Sequence, residues 1–259
     1  MILHIPHSSL TILAEVRKKL RITDTDLALE LLRLTDWYTD ELFALDDYQI
    51  PRVVYPFSRI QADVERFPDD ASESMSLVGM GAIYEKTTDG KHLRDRMRDE
   101  ERNAYLERYY YPHHGRLQEL TDRVLLDQKR CLIVDCHSFP SVALAVDQDQ
   151  APDRPDICLG SNLHTPPDLV RVLENACADL GLSCAVNHPY TGTIVPQKYF
   201  GRDQRVKSIM IEIRRGLYMD ESNGLKLAAF ESIRAMVRSL LLELWGYWKD
   251  CDITLVSFS

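Results

Sequence analysis

Three apolar runs in this 259-residue chain break at residues able to bind a metal or move a proton. Ile2–Ile5 leads into Pro6-His7-Ser8-Ser9, Cys131–Val134 into Asp135-Cys136-His137-Ser138, and Ser208–Arg214 carries Glu212 among Ile209, Met210, Ile211 and Ile213. Unbroken apolar runs suit strands buried on both faces of an α/β sheet, and the polar carboxyl ends of such strands are where these sheets hold ligands. A histidine there can present one ring nitrogen to a metal or substrate while a carboxylate such as Asp135 fixes the other; a histidine that only caps its strand is the plain alternative. A buried, unpaired Glu212 would be costly, so it faces a crevice or is partnered by Arg214 or Arg215. Two imidazoles and a carboxylate form the ligand set of a catalytic zinc site with an open fourth position, and a further carboxylate is then wanted to carry a proton from water to a leaving nitrogen.

Two more groupings bear on the same chemistry. Asp36 and Asp40, four apart in a helical pattern, share a face and either meet water or converge on a cation. Arg59, Asp63 and Arg66, beyond the strand pattern Arg52–Tyr55, offer two-pronged contacts to a substrate carboxylate or form a surface ion-pair ladder.

Elements must place these groups. Helical spacing runs over Leu10–Leu20, over Asp24–Leu45 with Thr23-Asp24 as its start signal, over Lys91 to about Gln128 with a break expected at Pro112, over Pro166–Leu180, and over Gly224 to about Trp248. Further strands are expected at Ser141–Val146, Ile157–Gly160, Cys184–Val186 and Ile253–Phe258. Pro68–Gly90 has little periodicity, reading as a long loop able to cover the site. His113 or His114 is a lesser candidate for the crevice, and Asn187–Thr193 is a turn-forming set suited to a pocket rim.

Composition narrows the class. A hydrophobic share of 45% with 27% charged residues is that of a globular chain, and the length suits one α/β domain over residues 1–259. A net charge of −9 with interspersed Lys and Arg speaks against nucleic acid as a partner. No apolar run approaches the roughly 18–20 residues of a membrane span. The first residues lack the form of a secretory leader, and the six cysteines, without a CxxC pair, read as reduced core thiols; a cytoplasmic location is expected. HExxH, GxSxG, Walker and GxGxxG patterns are absent.

PHSS at 6–9, DWYTDEL at 36–42, SRIQADVER at 58–66, GMGAIYEKT at 79–87, DCHS at 135–138, NHPYTG at 187–192 and IEIRRGLYM at 211–219 follow one another in an order and spacing that resembles the N-formylglutamate amidohydrolase family. The resemblance implies a zinc carboxypeptidase-like fold, a mixed sheet of about eight strands sandwiched by helices, and metal-assisted hydrolysis of the amide of a small N-acyl amino acid. It makes His7 and His137 ligands of one divalent metal, preferably zinc, and Glu212 the general base. Carboxypeptidases take a glutamate ligand three residues after the first histidine, where this chain has Leu10, so Asp36 is expected to complete the set with Asp40 in reserve. Arg59, Arg66 and Arg214 are expected to bind substrate. Glu65 departs from the asparagine common before the family's arginine, and the turn at 188–193 lacks a second glycine, which leaves the substrate open. A peptide or cell-wall amide, or a non-catalytic binding role on the same scaffold, are the alternatives.

Overall fold

Nine consecutive buried residues, Cys131–Phe139, form β3 at the interior of a six-stranded mixed sheet. The computed structural model describes residues 1–250. The other strands are β1 Ile2–Ile5, β2 Arg52–Val54, β4 Ile157–Gly160, β5 Cys184–Val186 and β6 Val206–Arg214. Their order is β2-β1-β3-β6-β4-β5, parallel throughout except where β4 runs antiparallel to β6.

The period-2 alternation of side chains divides this sheet. One face is apolar along its whole length: Leu3, Ile5, Val134, Cys136, Ile209, Ile211 and Ile213 pack with helices α3 Thr39–Leu42, α6 Pro167–Asp179 and α7 Phe230–Asp250. The buried residues Ile233, Val237, Leu240, Leu241, Leu244 and Trp248 form the α7 stripe, recurring every three to four residues. The other face changes character along the strands. Ile2, Cys131, Ile133 and Val206 pack on α5 Tyr111–Gln128, whereas nearer the carboxyl ends the same face carries His4, Asp135, His137 and Glu212, all buried.

Several expectations change. Among the described residues there are six strands instead of about eight: Ser141–Val146 is a turn and loop region, and Ile253–Phe258 lies outside the described residues. The strand that was to end at Asp135 continues to Phe139, because Asp135 and His137 are accommodated on a single polar face. The expected helix over Leu10–Leu20 shrinks to α1 Ala14–Arg17. That over Asp24–Leu45 splits: α2 spans Asp24–Leu34, capped by Thr23, whose hydroxyl accepts the Asp26 amide at 3.0 Å. Thr35 is extended and Tyr38 left-handed at φ 62° before α3 begins. The long pattern from Lys91 starts only at α4 Asp99–Tyr109 and breaks at Tyr110. Pro112 lies in the first turn of α5, where no amide hydrogen is needed. None of the described helices is long and apolar enough to cross a membrane.

Candidate active site

The break between α2 and α3 makes the centre. The Asp36 amide donates to the His7 carbonyl at 3.0 Å, tying this connection to the end of β1 and turning the Asp36 side chain between two imidazoles. Its Oδ2 lies 3.0 Å from His137 Nδ1 and 3.6 Å from His7 Nδ1, and the two ring centroids are 5.2 Å apart. Each far ring nitrogen is held by another buried carboxylate: His7 Nε2 donates to Asp63 Oδ1 at 2.9 Å and His137 Nε2 to Asp135 Oδ1 at 3.0 Å. An ionised carboxylate only accepts, so these contacts place the Nε2 protons and turn both Nδ1 atoms toward Asp36.

A cation must lie between Nδ1 and that oxygen: a bound metal, or the second imidazole proton that, against burial, Asp135 and Asp36 favour on His137, raising its pKa well above the usual range. His7 Nδ1 is buried with no hydrogen-bond partner. Two imidazole nitrogens and one carboxylate oxygen, all within 4.8 Å of one another, fit a divalent metal of the zinc type that keeps a further position for water or substrate. The other oxygen of Asp36 is fixed by Arg215, whose Nη2 donates to Oδ1 at 3.0 Å and to the Ser138 carbonyl at 3.0 Å. Burial opposes the charge on Asp36, but His137 and His7 outweigh it and hold its carboxyl well below the usual range.

Glu212 stands next to His137, paired with it in the β3–β6 register. Its Oε2 is buried without a hydrogen-bond partner. Burial, reinforced by Asp36 and opposed by His137, raises its pKa to about 7, which suits a group that must both accept and return a proton. These residues open on a cavity of about 200 Å³. Met75, Met80, Leu144 and Val146 line it and pack in one apolar cluster, so the 68–90 segment contributes one wall of the cavity and meets the loop after β3 there.

The arginines separate by role. Arg59 gives Nε and Nη2 to Asp63 Oδ2 at 3.1 and 2.8 Å and Nε also to the Tyr84 hydroxyl at 3.0 Å. It is thereby committed to the carboxylate that backs His7, and Tyr84 donates to the same Oδ2. Arg66, which lines the cavity as Arg59 does, has its buried Nε 3.7 Å from Asp63 Oδ2 and without a hydrogen-bond partner. Arg214 is a correction: it pairs with Asp156 just ahead of β4 and does not line the cavity, and its neighbour Arg215 faces the centre instead. Asp40 is a second correction, since the helix that was to align it with Asp36 ends at Leu34; it is exposed in the first turn of α3.

Some residues of the site carried no signal of their own. His4 lies inside an apolar strand, and its pairing with Asp135 depends on the β1–β3 register. His113 lies against His4, not against His7, Asp36 and His137. Glu65 lines the cavity and places Oε1 3.3 Å from His4 Nδ1; burial and then Asp135 push its carboxyl well above the usual range. The rim turn is seated by Gly160 of β4, where an added Cβ would meet the Gly192 carbonyl at 2.2 Å. Only glycine lets Tyr190 and Thr191 reach the cavity this way.

A family model described as N-formylglutamate amidohydrolase matches residues 1–219, and the chain belongs to that family. It is 29% identical over 223 residues to an N-formylglutamate deformylase of Pseudomonas aeruginosa, covering 82% of each chain. It is 25% identical over 193 residues to one of Pseudomonas putida, covering 73% of this chain and 72% of the other. Among solved structures, an N-formylglutamate amidohydrolase from Ralstonia eutropha JMP134 matches with a TM-score of 0.78 at 24% identity, over 94% of this chain and 91% of that one. A gene product of Agrobacterium tumefaciens matches with a TM-score of 0.67 at 18% identity, over 95% of this chain and 90% of that one. Both are similar to this chain in fold.

Proposed function

We propose that this chain is a metal-dependent amidohydrolase that cleaves the formyl amide of N-formylglutamate, or of a closely similar small N-acyl amino acid, to the free amine and the carboxylic acid. The observation that carries the reading is the convergence of His7 Nδ1, His137 Nδ1 and Asp36 Oδ2 beside an unpartnered, proton-accepting Glu212. The names of the two Pseudomonas relatives supply the substrate.

His7, Asp36 and His137 would hold the metal, preferably zinc, which when bound polarises the amide carbonyl and acidifies a water. Glu212 takes the proton of the attacking water and returns it to the amide nitrogen as the C–N bond breaks. Arg66 grips a substrate carboxylate, and Arg59 keeps Asp63 charged against His7. The cavity volume of about 200 Å³ favours a small substrate over a peptide.

The test is metal analysis of protein purified without chelator, together with an assay of amine release from N-formyl-, N-acetyl- and N-carbamoylglutamate. A single equivalent of divalent metal, removed by His137→Ala, and fastest turnover of the formyl compound are expected. Full metal occupancy in His137→Ala, or no hydrolysis of any of the three, would refute the reading.

A further inference from the structure

Behind the His137–Asp135 contact the polar face of the sheet continues into a second pair of histidines. Asp135 Oδ1 accepts from His4 Nδ1 at 2.8 Å as well as from His137, and its Oδ2 accepts the Ile194 amide at 2.9 Å. His4 Nε2 in turn lies 2.8 Å from His113 Nε2. His4 and Asp135 are fully buried, and His113 is 6% exposed. Because a carboxylate cannot donate, His4 carries its proton on Nδ1; its Nε2 is then an acceptor, so His113 donates from Nε2. The protons on His113 Nε2, His4 Nδ1 and His137 Nε2 are thus each assigned by an acceptor, the last two by Asp135, and His137 Nδ1 is left directed at Asp36.

We infer that His4 and His113 are positioning residues for His137, acting through Asp135. A carboxylate with no access to water keeps its charge and its orientation only through its donors. His4 is one of three here. Without it Asp135 is free to turn toward Ile194, and His137 loses the anchor that aims Nδ1 into the centre. His113 does for His4 what His4 does for Asp135. This role rests on the reading of His137 as a metal ligand.

The amide nitrogen of asparagine falls where histidine has Nδ1, and that of glutamine where it has Nε2. Zinc affinity of the intact protein, read by competition with a chromophoric chelator, should therefore fall in His4→Leu by the about 10–100-fold seen when groups behind metal ligands are removed. It should be largely kept in His4→Asn and lost in His4→Gln. The order reverses at the other histidine, with His113→Gln keeping affinity and His113→Asn losing it. A merely structural role would not distinguish the two amides, and should His4→Leu fail to fold, the Asn–Gln comparison still decides. Equal affinities in wild type, His4→Asn and His4→Gln would overturn the role while leaving the proposed function intact. Wild-type protein that binds no zinc would overturn both. A second equivalent of metal, abolished by Glu65→Gln, would overturn it differently, by showing His4, Glu65 and Asp135 to be ligands of a site of their own.

Discussion

His137 and Glu212 are direct neighbours across two parallel strands, β3 and β6, so the proposed metal ligand and the proposed base hang side by side from the most buried part of the sheet. Their separation is set by strand pairing, with no loop involved. That rigidity is what proton transfer over hydrogen-bond distances requires.

Glu212→Gln keeps shape and removes the proton acceptor. The variant should fold, bind metal as wild type does, and lose about 10²–10⁴-fold in kcat. Loss of the metal with the fold intact would make Glu212 a ligand instead, and near-normal turnover would rule out the mechanism.

Arg59 and Arg66 should respond differently to lysine. Arg66 has a buried Nε without a hydrogen-bond partner, so Arg66→Lys should raise KM for N-formylglutamate by about tenfold or more with a smaller change in kcat, as expected from losing one charge-assisted hydrogen bond of about 1.5–3 kcal/mol. Arg59 spends its guanidinium on Asp63; Arg59→Lys should instead weaken metal binding. Steady-state kinetics and metal titration of the two variants would reveal an exchange of these phenotypes.

Asp63 should make stability depend on pH in the acid range. Burial opposes its ionisation, but Arg59, His7 and Arg66 outweigh this and hold its carboxyl well below the usual range. A depressed native pKa stabilises the fold above the unfolded value of about 3.9 and loses that contribution as pH falls toward the native value. Asp63→Asn, which strands Arg59, should cost about 3–5 kcal/mol near pH 7. In metal-free protein the gap to wild type should narrow below about pH 4; urea unfolding at several pH values measures it, and a gap that widens in acid would contradict the assignment.

Gly160→Ala should act at a distance from the chemistry. The new Cβ would meet the Gly192 carbonyl and the Met210 side chain, so the rim turn must move. A loss of about 1–3 kcal/mol, typical of overpacking, is expected, with KM rising because Tyr190 and Thr191 are displaced. Unchanged KM would show that the rim turn takes no part in binding.

How much of this was legible beforehand depended on how local the cause was. Apolar runs and the Thr23 cap announced β1, β3, β6 and the start of α2, because burial and capping act within a few residues. His7, His137 and Glu212 stood out as polar groups interrupting those runs, and Asp36 was raised with Asp40 by their helical spacing and then chosen because Leu10 stands where carboxypeptidases have a glutamate ligand. Asp40 was misplaced because the way its side chain turns was taken from spacing along one helix, and Arg214 because a neighbour of Glu212 was expected at the crevice; the α2–α3 break and the pairing of Arg214 with Asp156 are tertiary events. His4 was hidden because its partners, Asp135 and His113, are 131 and 109 residues away. No window along the chain contains them.

The two-sided character of the sheet has a consequence for folding. His4, Asp135, His137 and Glu212 occupy one parity of their strands, and Leu3, Ile5, Val134, Cys136, Ile211 and Ile213 the other. A slip of β1, β3 or β6 by a single residue would exchange the two sets, driving ionisable groups into the layer beneath α7 and lifting aliphatic ones into the cavity. The groups proposed to carry out the reaction therefore also act as a proofreading device, penalising every misaligned pairing before any substrate is met.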